Sequence, residues 1–191
     1  MPLSNPNLFL ISGGPGSGKT TVLRELAKAG FSYVPEVARR IIQEQVERGG
    51  TALPWADRTT YTRLMLQRSI ETFLEHLSTA MPTFADRGIP DTLGYARLID
   101  LQDEFLVCEI ESACREHRYA PVVFLAPPWR EIYETDSERK QDFAEAERTF
   151  EQVLGVYERC EYETAILPKV SARERASFML ERIQQESKTA K

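Results

Sequence analysis

Short apolar runs alternate with longer amphipathic segments along this chain of 191 residues. The apolar runs are bounded by glycine, proline or charged residues and predict buried strands at 7–12, 31–35, 82–86, 121–126 and 164–167. The longer segments repeat their apolar residues at helical spacing and predict helices at 19–29, 57–79, 91–100, 103–118, 143–160 and 172–185. A further predicted helix contains Val37, Ile41, Ile42 and Val46 and is closed by Gly49 and Gly50. This alternation indicates an α/β fold in which helices cover both faces of a five-stranded parallel sheet.

We expect residues 1–191 to form a single domain, because the chain has no repeat, no low-complexity tract and no interdomain linker. The stretch at about 127–142 is polar and follows the fourth predicted strand. It is either a lid that closes over a bound nucleotide or a solvated connection. Its cations include Arg130 and Arg139, and a closed lid would bring such arginines to a transferring phosphoryl group.

A glycine-rich sequence, GGPGSGKT, follows the first predicted strand and opens the first predicted helix. Its residues Gly13, Gly18, Lys19 and Thr20 meet the pattern G-x-x-x-x-G-K-[ST] of a phosphate-binding loop. Glycines allow successive backbone N–H groups to converge on an anion, and the start of the helix adds its positive dipole end. We therefore expect a nucleoside triphosphate to bind to Gly13, Gly14, Pro15, Gly16, Ser17, Gly18, Lys19, Thr20 and Thr21.

Two residues of this loop have expected chemical roles. Lys19 would bridge the β- and γ-phosphates, and the Thr20 hydroxyl would ligate Mg²⁺. Thr21 either contacts the α-phosphate or is an ordinary residue of the first helical turn. Asp86 closes the third predicted strand at the sheet edge where ligands bind, which favours it as the second Mg²⁺ ligand. Its alternative role is to cap a turn with Gly88.

A second carboxylate, Glu36, follows the second predicted strand at the same edge of the sheet. It either accepts a proton from an acceptor hydroxyl or is simply favoured by the dipole of the following helix. Arg39 and Arg40 lie one turn further on, where either could contact a substrate phosphate or pair with Glu36. Asp91, just after a proline, either positions the acceptor or caps its own helix.

Composition and charge exclude several classes of function. The net charge of −5 argues against nonspecific nucleic-acid binding, which favours a basic surface. No apolar run approaches the length that spans a bilayer, and the first residues do not resemble a signal peptide, so we expect a soluble, cytoplasmic protein without a membrane partner. The two histidines are isolated, which leaves little basis for a His-based metal site or a Ser-His-Asp triad.

Several motifs together resemble a known family. They are GGPGSGKT at 13–20, PEVARRII at 35–42, DRGIPDTLGYARL at 86–98, ETDSERK at 134–140 and LPKVSARER at 167–175. In order and spacing they resemble the small AAA-like phosphate-loop proteins akin to the ribosylnicotinamide-kinase domain of NadR. More distantly, they resemble deoxynucleoside and thymidylate kinases.

The resemblance implies a three-layer α/β/α fold with strand order 2-3-1-4-5. It also implies that residues 13–20 form the ATP phosphate site and that Asp86 and Arg87 act as an acid–arginine pair. Glu36 matches the catalytic base of the kinase relatives by its position, and Arg130 and Arg139 match lid arginines that grip phosphates.

These observations predict an ATP- and Mg²⁺-dependent kinase that phosphorylates a small-molecule, nucleoside- or nucleotide-like acceptor. Either Glu36 or Asp86 would receive the proton of this acceptor. The alternative is a regulatory ATPase or nucleotide-dependent switch that acts through a protein partner. A guanine-specific switch is disfavoured because the chain contains no Thr-Lys-x-Asp sequence and its only asparagines are Asn5 and Asn7. The sequence leaves the identity of the acceptor and the oligomeric state open.

Overall fold

The computed structural model of the protein describes residues 1–132 and 143–189. Its strands are β1 (Leu3–Ser4), β2 (Leu8–Gly13), β3 (Ser32–Val34), β4 (Thr83–Asp86), β5 (His117–Arg118), β6 (Val122–Ala126) and β7 (Glu163–Ile166). Its helices are α1 (Lys19–Lys28), α2 (Val37–Arg48), α3 (Arg58–Glu75), α4 (Ile89–Leu98), α5 (Glu104–Glu116), α6 (Phe143–Arg159) and α7 (Ala172–Thr189). The α/β fold predicted from the hydrophobic pattern is therefore confirmed.

Five strands form one sheet in the order β3-β4-β2-β6-β7, and all of its neighbouring strands are parallel. When these strands are numbered along the chain, the order is 2-3-1-4-5, as the family resemblance implies. Because the strands are parallel, their carboxyl ends meet at one edge of the sheet. Gly13, Asp86 and Ala126 each end a strand at this edge. The topology therefore brings the glycine-rich sequence and the predicted acid together.

Separate hydrophobic cores lie on the two faces of the sheet, because side chains alternate between faces along each strand. In β2, Leu8 and Leu10 pack into a core that includes residues of α3, α4, α5 and α6. Phe9 and Ile11 pack into the other core, together with residues of α1 and α7. All four side chains are at most 5% exposed. The structure thus has the three layers, helix on sheet on helix, that the resemblance implies.

Two short strands, β1 and β5, are absent from the sequence prediction, and the predicted helix at 57–79 ends earlier, at Glu75. The predicted helix at 103–118 ends at Glu116, and His117 adopts extended backbone angles of φ −121° and ψ 103°. Residues His117–Arg118 then pair with Leu3–Ser4 as a separate parallel two-stranded sheet. Strands of two residues are too short to show any alternation of apolar and polar positions, so the sequence pattern does not reveal them.

Among the described residues, no helix combines the length and apolar character needed to cross a membrane. Part of the predicted lid, from 133 to 142, lies outside the described residues, and this part includes Arg139.

Candidate functional site

The glycine-rich sequence forms the connection between β2 and α1. Gly13, Gly16 and Gly18 have positive φ angles of 130°, 68° and 83°, which glycine adopts readily and other residues do not. Helix α1 begins directly after Gly18, so the unpaired N–H groups of its first turn and its positive dipole end face the loop. A loop of this kind binds anions through its backbone.

Gly13 combines a positive φ with a close approach to the neighbouring strand. A Cβ atom at this position would lie 2.3 Å from the carbonyl oxygen of Ala126, at the end of β6. The loop therefore leaves the sheet at a point where only a hydrogen fits between two backbones.

We expect Gly13→Ala to lower the free energy of unfolding by about 2–3 kcal/mol, because it combines an unfavourable φ with an overlap against backbone. Gly49→Ala is a matched control, since Gly49 also has a positive φ, of 64°, but no atom within 4 Å of the added Cβ. The free energy of unfolding of this control should fall by only about 1 kcal/mol. Urea titration measures the free energy of unfolding of both variants. An equal loss in the two variants would show that the close approach of Gly13 to Ala126 does not affect stability.

The side chain of Lys19 is held within the loop and is only 5% exposed. Its Nζ donates to the carbonyl oxygen of Gly14 at 2.9 Å and to that of Gly13 at 3.3 Å. The Ser17 hydroxyl donates to the same Gly14 oxygen at 2.8 Å. The loop therefore holds a buried ammonium group beside the backbone N–H groups that are suited to bind an anion.

A buried ion-pair network lies next to the loop. Arg87 donates through Nε to Glu36 at 2.9 Å and through Nη1 to Asp91 at 3.2 Å. The side chains of Arg87, Glu36 and Asp91 are 15%, 10% and 3% exposed. Burial by itself would lower the pKa of Arg87, but the charges of Glu36, Asp91 and Asp86 outweigh it and raise that pKa. The arginine therefore stays charged and fixes the orientation of the Glu36 carboxylate.

Asp91 is the structural centre of this network and resolves one of the open alternatives. Its carboxylate accepts hydrogen bonds from the Gly88 backbone N–H at 2.8 Å, from the Tyr157 hydroxyl at 2.5 Å and from the Ser12 hydroxyl. The contact with Gly88 caps the start of α4, so the capping role is confirmed. Burial and the charge of Asp91 raise the pKa of Tyr157 well above its ordinary value, which keeps this tyrosine a neutral donor.

An open cavity of about 440 Å³ lies beside the loop. Its lining includes the predicted residues Pro15, Gly16, Ser17, Gly18, Lys19, Thr20, Thr21, Glu36 and Asp86. The other lining residues are Leu23, Tyr33, Pro35, Arg39, Arg40, Gln43 and Ile132. The structure therefore places residues 15–21 of the predicted phosphate site, both predicted carboxylates, and Arg39 and Arg40 of α2 around one space, whereas Gly13 and Gly14 are not among the lining residues.

A family model of the AAA domain, AAA_28, matches residues 8–175. The chain belongs to this family. The matched range begins at β2 and ends in the first turn of α7, so it contains the loop, the ion-pair network and the residues that line the cavity. Family membership and the phosphate loop together identify this AAA domain as a nucleotide-binding protein.

Solved structures of phosphate-loop kinases share the fold. The chain is 17% identical to the NadR protein, crystallised in complex with NR, with a TM-score of 0.73 over 93% of this chain and 51% of that one. For the deoxyadenosine kinase of M. mycoides, the identity is 13% and the TM-score 0.68 over 93% and 99% of the two chains. For the thymidylate kinase of Candida albicans, the identity is 13% and the TM-score is 0.69 over 95% of this chain and 92% of that one. The resemblance stated from the sequence is confirmed at the level of fold.

One curated relative has detectable sequence similarity. The chain is 25% identical to adenylate kinase 9 of Mus musculus over 169 residues, which cover 74% of this chain and 9% of that protein. The chain thus spans about half the length of the NadR chain and about a tenth of adenylate kinase 9.

Of the two predicted lid arginines, the structure describes only Arg130. Arg130 begins a short 3-10 turn, Arg130–Ile132, and its exposed guanidinium lies 4.3 Å from the centre of the Phe143 ring. It is not among the residues that line the cavity, whereas Ile132 is. Arg139 is outside the described residues. The phosphate-gripping role of these arginines therefore stays a prediction.

Sequence reasoning missed one buried cation beside the phosphate loop. Arg175, in the first turn of α7, is 1% exposed and donates through Nη1 to the carbonyl oxygen of Ser17 at 2.8 Å. The sequence gives no signal for this contact, because an arginine at the start of an amphipathic helix usually extends into solvent.

Proposed function

We propose that this AAA domain is an ATP- and Mg²⁺-dependent kinase that transfers the γ-phosphoryl group to a small acceptor. The observation that carries the proposal is the composition of one cavity, which is lined by the phosphate loop and by the carboxylates of Glu36 and Asp86. A phosphate loop alone binds nucleotide in many classes of protein. A fixed carboxylate in the same space adds a group that can receive a proton from an acceptor.

The oxygen groups beside the loop suit Mg²⁺, although no cluster of three or more His, Cys, Asp or Glu side chains occurs in the described part of the chain. Mg²⁺ is typically bound by one or two protein oxygens together with substrate phosphates and water. Thr20 and Asp86 both line the cavity and supply such oxygens. When bound, the ion would neutralise charge on the phosphates.

The residues of the chain have separate roles in the proposed transfer. The N–H groups of the loop and the ammonium of Lys19 bind the triphosphate and neutralise charge that develops on the γ-phosphoryl group. Arg87 holds Glu36 at the cavity, where its carboxylate orients the acceptor hydroxyl and receives its proton. Phosphoryl transfer needs little covalent assistance from the protein, so this positioning and charge stabilisation account for most of the proposed catalysis.

The remaining residues that line the cavity suit a nucleoside- or nucleotide-like acceptor. Arg39, Arg40 and Gln43 come from one helix, and Tyr33 comes from the neighbouring strand. This lining offers cations, an amide and an aromatic ring, which together suit a small polar molecule that carries a ring or a phosphate. The named substrates of deoxyadenosine kinase and thymidylate kinase, which share the fold, support this class of acceptor.

An acceptor screen with γ-labelled ATP and Mg²⁺ tests the proposal. The panel contains nucleosides, nucleoside monophosphates and vitamins, and chromatography separates labelled acceptor from labelled inorganic phosphate. The proposal expects label on at least one acceptor. Label found only in inorganic phosphate, with release increased by protein from a cell extract, would instead indicate the regulatory ATPase.

Mutation should distinguish the proposed roles of Glu36 and Asp86. We expect Glu36→Gln to lower kcat on the order of 10²-fold at unchanged Mg²⁺ requirement, since it removes the proton acceptor but leaves the loop intact. Asp86→Asn should raise the Mg²⁺ concentration for half-maximal activity by about tenfold, since it removes a charged ligand. Steady-state kinetics at varied Mg²⁺ measures both effects.

Glu44→Gln is the control for the first variant, because Glu44 lies on α2, the helix that begins directly after Glu36, but pairs with Arg68 near the surface. A raised Mg²⁺ requirement in Glu36→Gln together with an unchanged one in Asp86→Asn would show that these assignments are reversed.

A further inference from the structure

Arg175 occupies an unusual electrostatic position. The side chain is 1% exposed, which makes it one of the largest fully buried side chains of the protein. Among the described residues, no carboxylate lies within ion-pair distance of it, and one of its nitrogens, Nη2, is buried without a hydrogen-bond partner. Burial lowers the pKa of this arginine. Proteins rarely bury a positive charge without a counter-charge.

The helices around Arg175 increase this imbalance of charge. Arg175 lies in the first turn of α7, where the helix dipole already places partial positive charge. Its Nη1 lies 3.5 Å from where a Cβ of Gly18 would stand, and Gly18 caps the N-terminus of α1. The positive end of α1 and a buried guanidinium thus meet at one place, whereas the first turn of α7 already contains a carboxylate, that of Glu174. An anion bound there would supply the missing counter-charge.

The contacts of Arg175 join the phosphate loop to the end of the chain. Nη1 donates to the Ser17 carbonyl oxygen at 2.8 Å, and Nε donates to the Pro168 carbonyl oxygen at 2.8 Å. The guanidinium carbon lies 4.9 Å from the centre of the Trp129 ring, at the start of the predicted lid. One side chain therefore contacts the loop, the connection between β7 and α7, and the segment after β6.

We propose that Arg175 is a positioning residue that fastens the phosphate loop to the β7–α7 connection and whose charge is balanced by the phosphates of a bound nucleoside triphosphate. The proposal rests on the proposed nucleotide site. It adds that the affinity of this site for polyphosphate depends on a cation outside the glycine-rich sequence. A side chain with a purely packing role would affect folding but would not distinguish ligands by their number of phosphates.

The test is calorimetric titration of the full chain with a non-hydrolysable ATP analogue and with AMP, at low and high salt. We expect Arg175→Gln to weaken binding of the ATP analogue by about tenfold at low salt and to reduce the effect of salt on that affinity. Affinity for AMP should change less. Arg182→Gln is the control, because Arg182 lies on the same helix and pairs with Glu163 and Glu186. It should bind both ligands like the wild-type protein.

Each result decides the proposal. A folded Arg175→Gln protein that binds the analogue within twofold of wild type, with the same salt dependence, would overturn it. If this variant does not fold, Arg175→Lys decides instead, since lysine keeps the charge but lacks the separate Nε and Nη1 donors that contact the Pro168 and Ser17 carbonyl oxygens. We then expect affinity for the analogue to fall at least threefold, and an unchanged affinity would overturn the proposal. If the wild-type protein binds no nucleotide, both this inference and the proposed function fail.

Discussion

Replacing Lys19 with alanine is expected to lower the turnover of phosphoryl transfer by a factor on the order of 10²–10³, the cost of losing one preorganised donor to a developing charge. The ammonium of Lys19 is buried in the loop and already contacts the carbonyl oxygens of Gly13 and Gly14. No other residue of the loop carries a positive charge. Initial rates with the acceptor identified by the screen measure the effect.

Lys28→Ala is the matched control for this experiment. Lys28 ends the same helix, but its side chain is 72% exposed and pairs with Glu25. This variant should transfer phosphate at the wild-type rate. If Lys19→Ala shows wild-type circular dichroism and still transfers phosphate within about twofold of the wild-type rate, the loop is not the site of transfer.

Replacing Arg87 with alanine is expected to lower the free energy of unfolding by about 3–5 kcal/mol, because two buried carboxylates lose their shared cation. Arg87 bridges Glu36 and Asp91, and all three side chains are largely buried. Arg87 also has a positive φ of 74°, which is uncommon for arginine, so the surrounding structure must hold this conformation in place. Urea unfolding of the protein without nucleotide measures the loss.

Arg63→Ala provides the comparison, since Arg63 also bridges two carboxylates, Asp103 and Glu109, but is 51% exposed. An exposed ion pair of this kind contributes about 1 kcal/mol or less to the free energy of unfolding, so Arg63→Ala should lose little stability. Similar losses in the two variants would mean that burial of the Arg87 network has little effect on stability.

The sequence predicted the main sheet and the phosphate loop because both depend on local patterns. Runs such as 121–126 are apolar throughout because helices cover both faces of the strand, and this pattern is readable without any long-range contact. The loop is equally local, since its glycines, Lys19 and Thr20 are consecutive in the chain. Asp86 and Glu36 were predicted because parallel strands carry their carboxyl ends to one edge.

The contacts between distant side chains could not be predicted. Glu36 and Arg87 are 51 residues apart, and the choice of Arg87 as partner depends on the packing of α4 against the sheet. Arg175 contacts Ser17 across 158 residues, and Tyr157 reaches Asp91 across 66. Such pairs leave no periodic or spacing signal in one sequence, because they are selected by the assembled fold. The acceptor pocket depends on contacts of the same kind.

A crystal structure of the protein with a non-hydrolysable ATP analogue and Mg²⁺ would test the central claim most directly. The account predicts a triphosphate bound by the backbone N–H groups of residues 13–20, with Nζ of Lys19 turned from the Gly14 carbonyl oxygen towards the β- and γ-phosphates. It also predicts the γ-phosphate in the cavity that Glu36 lines. A triphosphate bound elsewhere, or a loop without density at saturating analogue concentration, would contradict the account.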